Sequence, residues 1–149
     1  MSRISLISAL HPKMVPVARS IADHMASLHQ ANKTEFSFQI FETYRSPVRQ
    51  NELFTEKTTK ARAWEGAHNV GLAVDFVPFL TATQAAKYRQ EHGSSLPGWF
   101  WPDPEHSDWN ILAKVAMRYG CKPPIVTKDF VDRPHCEHPL FDKIQSVGF

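Results

Sequence analysis

The chain has 149 residues, of which 42% are hydrophobic and 21% charged, with a formal net charge of +2. This length and composition predict one soluble globular domain, residues 1–149. Two cysteines are too few for a disulfide scaffold, and the basic residues are too scattered to predict a nucleic-acid partner. No apolar run reaches the roughly 18 residues of a membrane span, and the N-terminal one is short for a secretory signal. We therefore expect a cytoplasmic monomer without stable membrane insertion.

Hydrophobic periodicity outlines the secondary structure. Apolar residues at helical spacing predict helices at 13–30, at 83–92 and from Ser107 or Asp108 to Tyr119. The pair Ser46-Pro47 predicts the start of another helix, which runs to about residue 59. Alternating residues predict strands at 36–40 and from Leu72 onward, with a short strand at 125–127. Helices mixed with a few separated strands predict an α+β fold with a small, mainly antiparallel sheet and flanking helices.

One acidic residue stands inside the second predicted strand. Asp75 lies between Val74 and Phe76, and His68 precedes it by seven residues. A carboxylate within an apolar strand requires a cation or several hydrogen-bond donors, because its desolvation costs several kcal/mol. Asp75 and His68 are therefore candidate ligands of a metal ion.

A second motif lies far downstream, where Asp132 precedes His135 by three residues and Pro134 stiffens the turn between them. Two imidazoles and one carboxylate suit catalytic zinc, which commonly has three protein ligands and one open position. His68, Asp75 and His135 would bind Zn²⁺, and Asp132 would be the general base. The same residues could instead be core polar groups with satisfied hydrogen bonds.

Other side chains have candidate roles around this site. Arg45 lies at a strand-to-helix junction and could bind a substrate carboxylate or a developing oxyanion, although a surface arginine would look the same. Glu137 could orient a ligand imidazole. The aromatic run Trp99-Phe100-Trp101 could form a platform for a sugar or peptide, or could fold over an edge of the core.

The chain resembles the LAS metallopeptidases, which include D-alanyl-D-alanine carboxypeptidases and the L-alanyl-D-glutamate endopeptidases of phage endolysins. The resemblance covers roughly residues 5–140 and rests on Tyr44-Arg45-Ser46 with Gln50, His68-x-x-Gly71-x-Ala73-x-Asp75, and Asp132-x-Pro134-His135-x-Glu137. It implies a LAS/hedgehog-like peptidase fold and a single zinc ion held by His68, Asp75 and His135. It also implies that Asp132 is the catalytic base, that Arg45 and Gln50 bind substrate and that Arg45 assists catalysis.

The chain departs from the usual family pattern in three places. Gly66 replaces a serine, Cys136 replaces an aromatic residue, and residues 122–129 replace a stretch rich in glycine and tryptophan. None of these changes a proposed ligand or the base, so we expect activity.

The resemblance implies a substrate, a peptidoglycan stem peptide. We expect a phage or prophage endolysin that acts as an L-alanyl-D-glutamate endopeptidase. We expect it to have no separate cell-wall-binding domain and to stay in the host cytoplasm until it is released to the periplasm or cell wall. A D-alanyl-D-alanine carboxypeptidase is the alternative, and it would normally carry an export signal. A non-catalytic zinc-containing phage module is an alternative of another class, against which Asp132 argues. A His-Asn-His nuclease fits less well, because the second motif differs.

Overall fold

The structure, a computed structural model, describes residues 3–56, 66–92, 97–125 and 131–147. Within these ranges the chain forms five α-helices, four β-strands and two 3₁₀ turns. The helices are α1 (Val15–Gln30), α2 (Pro47–Thr55), α3 (Ala82–His92), α4 (Ser107–Arg118) and α5 (Leu140–Val147). The strands are β1 (Phe38–Glu42), β2 (Ala73–Leu80), β3 (Gly98–Trp99) and β4 (His135–Glu137), and the 3₁₀ turns are Ile7–Ala9 and Ala67–Val70. The predicted α+β class is confirmed.

β2 is the centre of the antiparallel sheet. β1 pairs with it along one side, while β4 pairs with its first residues and β3 with its last. Asp75 has a partner in each neighbouring strand, Glu42 in β1 and His135 in β4. Since directly paired residues point to the same face, these three side chains form one row across the sheet.

The other face of the sheet carries the hydrophobic core. Val74 and Phe76 of β2 are fully buried there, together with residues from α1 and α4. The ring of Phe38 in β1 contacts Trp109 of α4 edge to face, with 5.5 Å between ring centroids. The helices therefore cover one face and leave the row around Asp75 on the opposite face.

Asp108 joins α4 to the segment that enters β1. Its Oδ2 accepts hydrogen bonds from the backbone N–H groups of Glu35 and Phe36, both at 2.9 Å. Ser107 and Asp108 were the residues predicted to begin this helix, but its N-cap is His106. Nδ1 of His106 accepts the N–H of Asp108. The buried carboxylate of Asp108 thus satisfies one buried and one partly buried backbone donor.

Several boundaries differ from those predicted. β1 begins two residues later than expected and continues to Glu42, with an irregular register between Ile40 and Glu42. No periodic pattern predicted β3 or α5, because a two-residue strand and an eight-residue helix are too short for a clear signal. Residues 126–127 of the predicted third strand and 57–59 of the predicted helix lie outside the described residues. None of the described helices is long and apolar enough to cross a membrane.

We predict that Asp108→Ala lowers the free energy of unfolding by about 1–3 kcal/mol, because the buried N–H of Phe36 and the partly buried N–H of Glu35 lose their acceptor. Urea-induced unfolding followed by circular dichroism measures the change. Asp108→Asn, which keeps a carbonyl acceptor, should lose less stability. Equal stability of Asp108→Ala and the wild type would show that these two hydrogen bonds do not stabilise the fold.

Candidate metal centre

His68 lies in the 3₁₀ turn Ala67–Val70, shortly before β2. Its Nδ1 donates to the carbonyl oxygen of Thr43 at 2.6 Å. The N–H of Arg45 donates to the carbonyl oxygen of His68, and the side-chain amide of Asn69 donates to the carbonyl oxygen of Arg45. Both His68 and Asn69 are buried. These bonds join the turn to the end of β1 and fix the orientation of the imidazole.

Gly71 ends this turn and allows the chain to enter β2. Its φ of 71° lies in the left-handed region, which a side chain disfavours. A Cβ at this position would also come within 2.5 Å of the backbone nitrogen of His11, whose N–H donates to the carbonyl of Gly71. Glycine is therefore required where the chain passes from His68 to Asp75.

The structure brings the three predicted ligands together. Nε2 of His68 lies 3.1 Å from Oδ1 of Asp75, and Nδ1 of His135 lies 3.2 Å from the same oxygen. One ligand atom from each residue lies within 4.8 Å of the others. In a tetrahedral site with bonds of 2.0–2.1 Å, neighbouring ligand atoms are about 3.3 Å apart. The two measured distances are close to that value.

The hydrogen bonds of the two imidazoles also favour a cation. Nδ1 of His68 donates to a carbonyl, and Nε2 of His135 donates to Oε1 of Glu137 at 2.9 Å. In a neutral ring the remaining nitrogen then carries a lone pair, and in both rings this nitrogen faces Oδ1 of Asp75. Lone pairs directed at a carboxylate repel it unless positive charge lies between them. Either protons or a metal ion can supply that charge, and the donor set suits zinc.

The electrostatics of the ligands agree with this interpretation. Burial opposes charge on the Asp75 carboxyl and by itself would raise its pKa. The charges and hydrogen bonds of His68 and His135 outweigh burial and hold that pKa well below its usual range. Burial likewise opposes protonation of His135, yet its hydrogen bonds to Asp75 and Glu137 raise its pKa to about 10. The same carboxylates that favour a proton here also favour a metal ion.

Glu137 orients His135, as predicted from the sequence. Its Oε1 accepts the hydrogen bond from His135, and its Oε2 accepts one from Nζ of Lys122 at 3.1 Å. Lys122 also donates to Asp142 at 3.0 Å, and its N–H donates to the carbonyl of Glu137. A ligand histidine whose second nitrogen is bound to a carboxylate is typical of zinc sites.

Arg45 approaches the site from the other side. Its guanidinium lies 3.7 Å from Oδ2 of Asp75, the oxygen that does not face the histidines. Gln50, with only 1% of its surface exposed, accepts a hydrogen bond from Nη1 of Arg45. The two residues predicted to bind substrate therefore contact each other at the edge of the site, and their role toward a substrate stays a prediction.

Sequence reasoning missed Glu42, which holds Arg45 in place. Oε1 of Glu42 accepts from Nη2 of Arg45 at 2.7 Å, and Oε2 accepts from Nε of Arg49 at 2.6 Å. Burial raises the pKa of this carboxyl, but the two arginines outweigh that effect and lower it. The signal in the sequence was a charged residue directly after the apolar positions of β1.

Asp132 is near enough to His135, Asp75 and His68 for their charges to act on its carboxyl, but it is not part of the group that could hold a metal ion. Its turn is attached to β2, because the N–H of Phe76 donates to the carbonyl of Pro134 at 3.0 Å. Burial raises the pKa of the Asp132 carboxyl, the negative charge of Asp75 raises it further, and the charge of His135 opposes the rise. Asp75 and Asp132 therefore have pKa values shifted in opposite directions, which suits a ligand and a proton acceptor respectively.

Comparison with known proteins finds no matching family model and no matching curated protein. Among the solved structures that are similar to the chain are two peptidases. One is the Serratia marcescens L-Ala D-Glu endopeptidase ChiX, with a TM-score of 0.57 and 18% identity over 95% of this chain and 93% of that one. The other is the LD-carboxypeptidase LdcB, from a study of peptidoglycan recognition, with a TM-score of 0.52 and 14% identity over 87% of this chain and 65% of that one.

This chain has the fold of these two peptidases. The resemblance predicted from three short motifs is thereby confirmed for the fold. The structure independently places His68, Asp75 and His135 in one cluster.

We predict that the purified protein binds one zinc ion and that His68→Ala lowers its affinity for zinc by more than about 100-fold. Loss of a ligand should exceed the 10- to 100-fold effects of losing a residue that only supports a ligand. Isothermal titration calorimetry measures the affinity. His24→Ala is the matched control, because His24 is a partly buried histidine of α1 whose Nδ1 is hydrogen-bonded to Tyr119. Equal affinities of His68→Ala and His24→Ala would contradict the assignment.

Proposed function

We propose that this protein is a zinc-dependent peptidase that hydrolyses the stem peptide of peptidoglycan, and that it acts as an L-alanyl-D-glutamate endopeptidase. The observation that carries the proposal is the convergence of His68, Asp75 and His135 within a fold shared with two peptidoglycan peptidases. A zinc ion held by these residues would act as a Lewis acid that polarises water and the scissile carbonyl.

Asp132 is the proposed general base. The charges of His135, Asp75 and His68 act on its carboxyl, which supports a position near the proposed metal ion, and a carboxylate there can serve as a proton acceptor. It would accept a proton from the attacking water and pass it to the nitrogen of the leaving amine. Its position outside the ligand group supports a role in proton transfer rather than in metal binding.

Arg45 is proposed to bind the substrate and to stabilise negative charge on the scissile carbonyl oxygen. Its guanidinium is held by Glu42 and Gln50 and is therefore oriented before the substrate arrives. Gln50, which accepts a hydrogen bond from Nη1 of Arg45, would act mainly through Arg45.

The endopeptidase assignment is preferred to the carboxypeptidase alternative because of the structural similarities. The chain spans 93% of the endopeptidase ChiX but 65% of the carboxypeptidase LdcB. Cleavage between L-alanine and D-glutamate releases the part of the stem peptide beyond L-alanine from the glycan and so removes cross-links from the wall. An enzyme with this activity would be bacteriolytic, which is the basis for proposing an endolysin.

We predict that the zinc-loaded protein, incubated with purified peptidoglycan, exposes new N-terminal glutamate. Dinitrophenylation of the new amino groups, followed by mass spectrometry, identifies the terminal residue. Release of free alanine instead would support the carboxypeptidase. Neither product, together with tight zinc binding, would support a non-catalytic zinc-containing module.

We predict that Asp132→Asn lowers kcat for peptidoglycan cleavage by about 10²–10⁴-fold, because an amide cannot accept the proton. Zinc affinity should stay close to that of the wild type, since Asp132 lies outside the ligand group. Release of soluble muropeptides and calorimetric zinc titration measure the two properties on the same preparation. Wild-type kcat in this variant would remove Asp132 from the mechanism.

A further inference from the structure

The face of the sheet that bears Asp75 continues into a group of aromatic side chains. Because side chains alternate along a strand, Phe79 points to the same side of β2 as Asp75. Phe79 pairs with Trp99 of β3, and their ring centroids are 5.2 Å apart. The ring of Phe41 contacts Trp99 at 5.0 Å and Trp101 at 5.1 Å. We call Phe41, Phe79, Trp99 and Trp101 the aromatic patch.

The patch lies next to the candidate metal centre. Phe41 immediately precedes Glu42, which pairs directly with Asp75 across β1 and β2. The far end of the patch is at Phe79, four residues beyond Asp75, or about 13 Å along the strand. The patch and the metal centre therefore lie on the same face of the sheet, with the buried Val77 between Asp75 and Phe79 on β2.

Trp101 is held by its backbone while its side chain faces solvent. The N–H of Phe100, on one side, donates to the carbonyl of Pro78 in β2 at 2.9 Å. The carbonyl of Pro102, on the other side, accepts from Nε1 of the buried Trp109 at 3.3 Å. Even so, 51% of Trp101 is exposed, and Phe79 is 39% exposed. Large aromatic residues that are fixed yet exposed commonly mark a binding site.

Arg3 adds a cationic donor to the patch. Its guanidinium carbon lies 3.8 Å from the ring centroid of Phe41 and 5.4 Å from that of Trp99. This stacking leaves the N–H groups at the rim of the guanidinium directed outward, where they can donate to hydroxyl or carboxylate oxygens.

We propose that the aromatic patch binds the N-acetylmuramic acid residue that carries the stem peptide, so that the enzyme acts preferentially on stem peptides still attached to glycan. The proposal rests on the proposed function and names a second part of the substrate. A pyranose ring presents a face of C–H groups that packs against an indole, and a rim of hydroxyl groups that accept hydrogen bonds from a guanidinium.

The dimensions of the substrate agree with this position. In peptidoglycan the first residue of the stem peptide, L-alanine, is joined by an amide bond to the lactyl group of N-acetylmuramic acid. Cleavage after L-alanine therefore leaves one amino acid, about 3.5 Å long, and the lactyl group between the scissile bond and the sugar. The sugar would lie over the surface next to the metal centre, where the patch begins at Phe41. A carboxypeptidase would cut at the far end of the stem and leave the sugar several residues away.

The test compares two substrates that differ only in the sugar, a disaccharide-linked stem peptide and the same stem peptide that keeps the lactyl group on L-alanine but lacks the disaccharide. We predict that the wild type has a higher kcat/KM for the disaccharide-linked form, and that Trp101→Ala lowers the ratio of the two kcat/KM values about tenfold, mainly through KM. Trp101→Phe should restore part of this ratio. Met117→Ala is the matched control, because it removes an exposed apolar side chain from α4, and its ratio should equal that of the wild type.

Binding of the disaccharide alone provides a measurement that does not depend on catalysis. In NMR titrations of the metal-loaded protein with N-acetylglucosaminyl-N-acetylmuramic acid, the indole N–H signal of Trp101 should shift. Equal cleavage of both substrates by the wild type would overturn the patch proposal and leave the peptidase intact. Cleavage of neither substrate would overturn the proposed function. In that case a shift of the Trp101 signal in the NMR titration would still support disaccharide binding by the patch, and no shift would overturn it. A dimer that Trp101→Ala converts to a monomer would show that the patch binds a second copy of the chain instead.

Discussion

The partly buried carboxylate of Asp75 is the constraint on which the site depends. It lies in the central strand of the sheet, between Glu42 of β1 and His135 of β4. One of its oxygens faces two imidazole nitrogens and the other faces the guanidinium of Arg45. A carboxylate in this position would destabilise the sheet unless positive charge surrounded it. The same requirement makes the site a good one for a divalent cation.

The carboxylates around Asp75 differ in whether a basic side chain is paired with them. Glu42 and Glu137 each accept a hydrogen bond from a residue that contacts Asp75, and each is itself paired with a second basic side chain, Arg49 or Lys122. Each carboxylate that orients a functional side chain is thus partly neutralised. Asp132 has no such partner among the hydrogen bonds of the described residues, and burial raises its pKa. This contrast between paired and unpaired carboxylates separates the residues that hold the site from the one proposed to move a proton.

The three candidate ligands could be identified in the sequence because each has a local signal. Asp75 is a charge in an apolar strand, and His68 and His135 lie in short motifs with fixed spacing. The part played by Glu42 could not be predicted, since the irregular register between Ile40 and Glu42 decides which face its side chain occupies. The pairing of β4 with the start of β2 likewise depends on contacts between distant parts of the chain. Cys136, which departs from the family pattern, proved to be a buried core residue opposite Val74.

Crystallography of the zinc-loaded protein tests most directly whether His68, Asp75 and His135 together bind a metal ion. Anomalous diffraction data collected on either side of the zinc absorption edge identify both the element and its position. We expect one anomalous peak at bonding distance from Nε2 of His68, Oδ1 of Asp75 and Nδ1 of His135. A zinc peak elsewhere on the chain, or two protonated imidazoles bonded to Asp75 with no peak between them at saturating zinc, would contradict it.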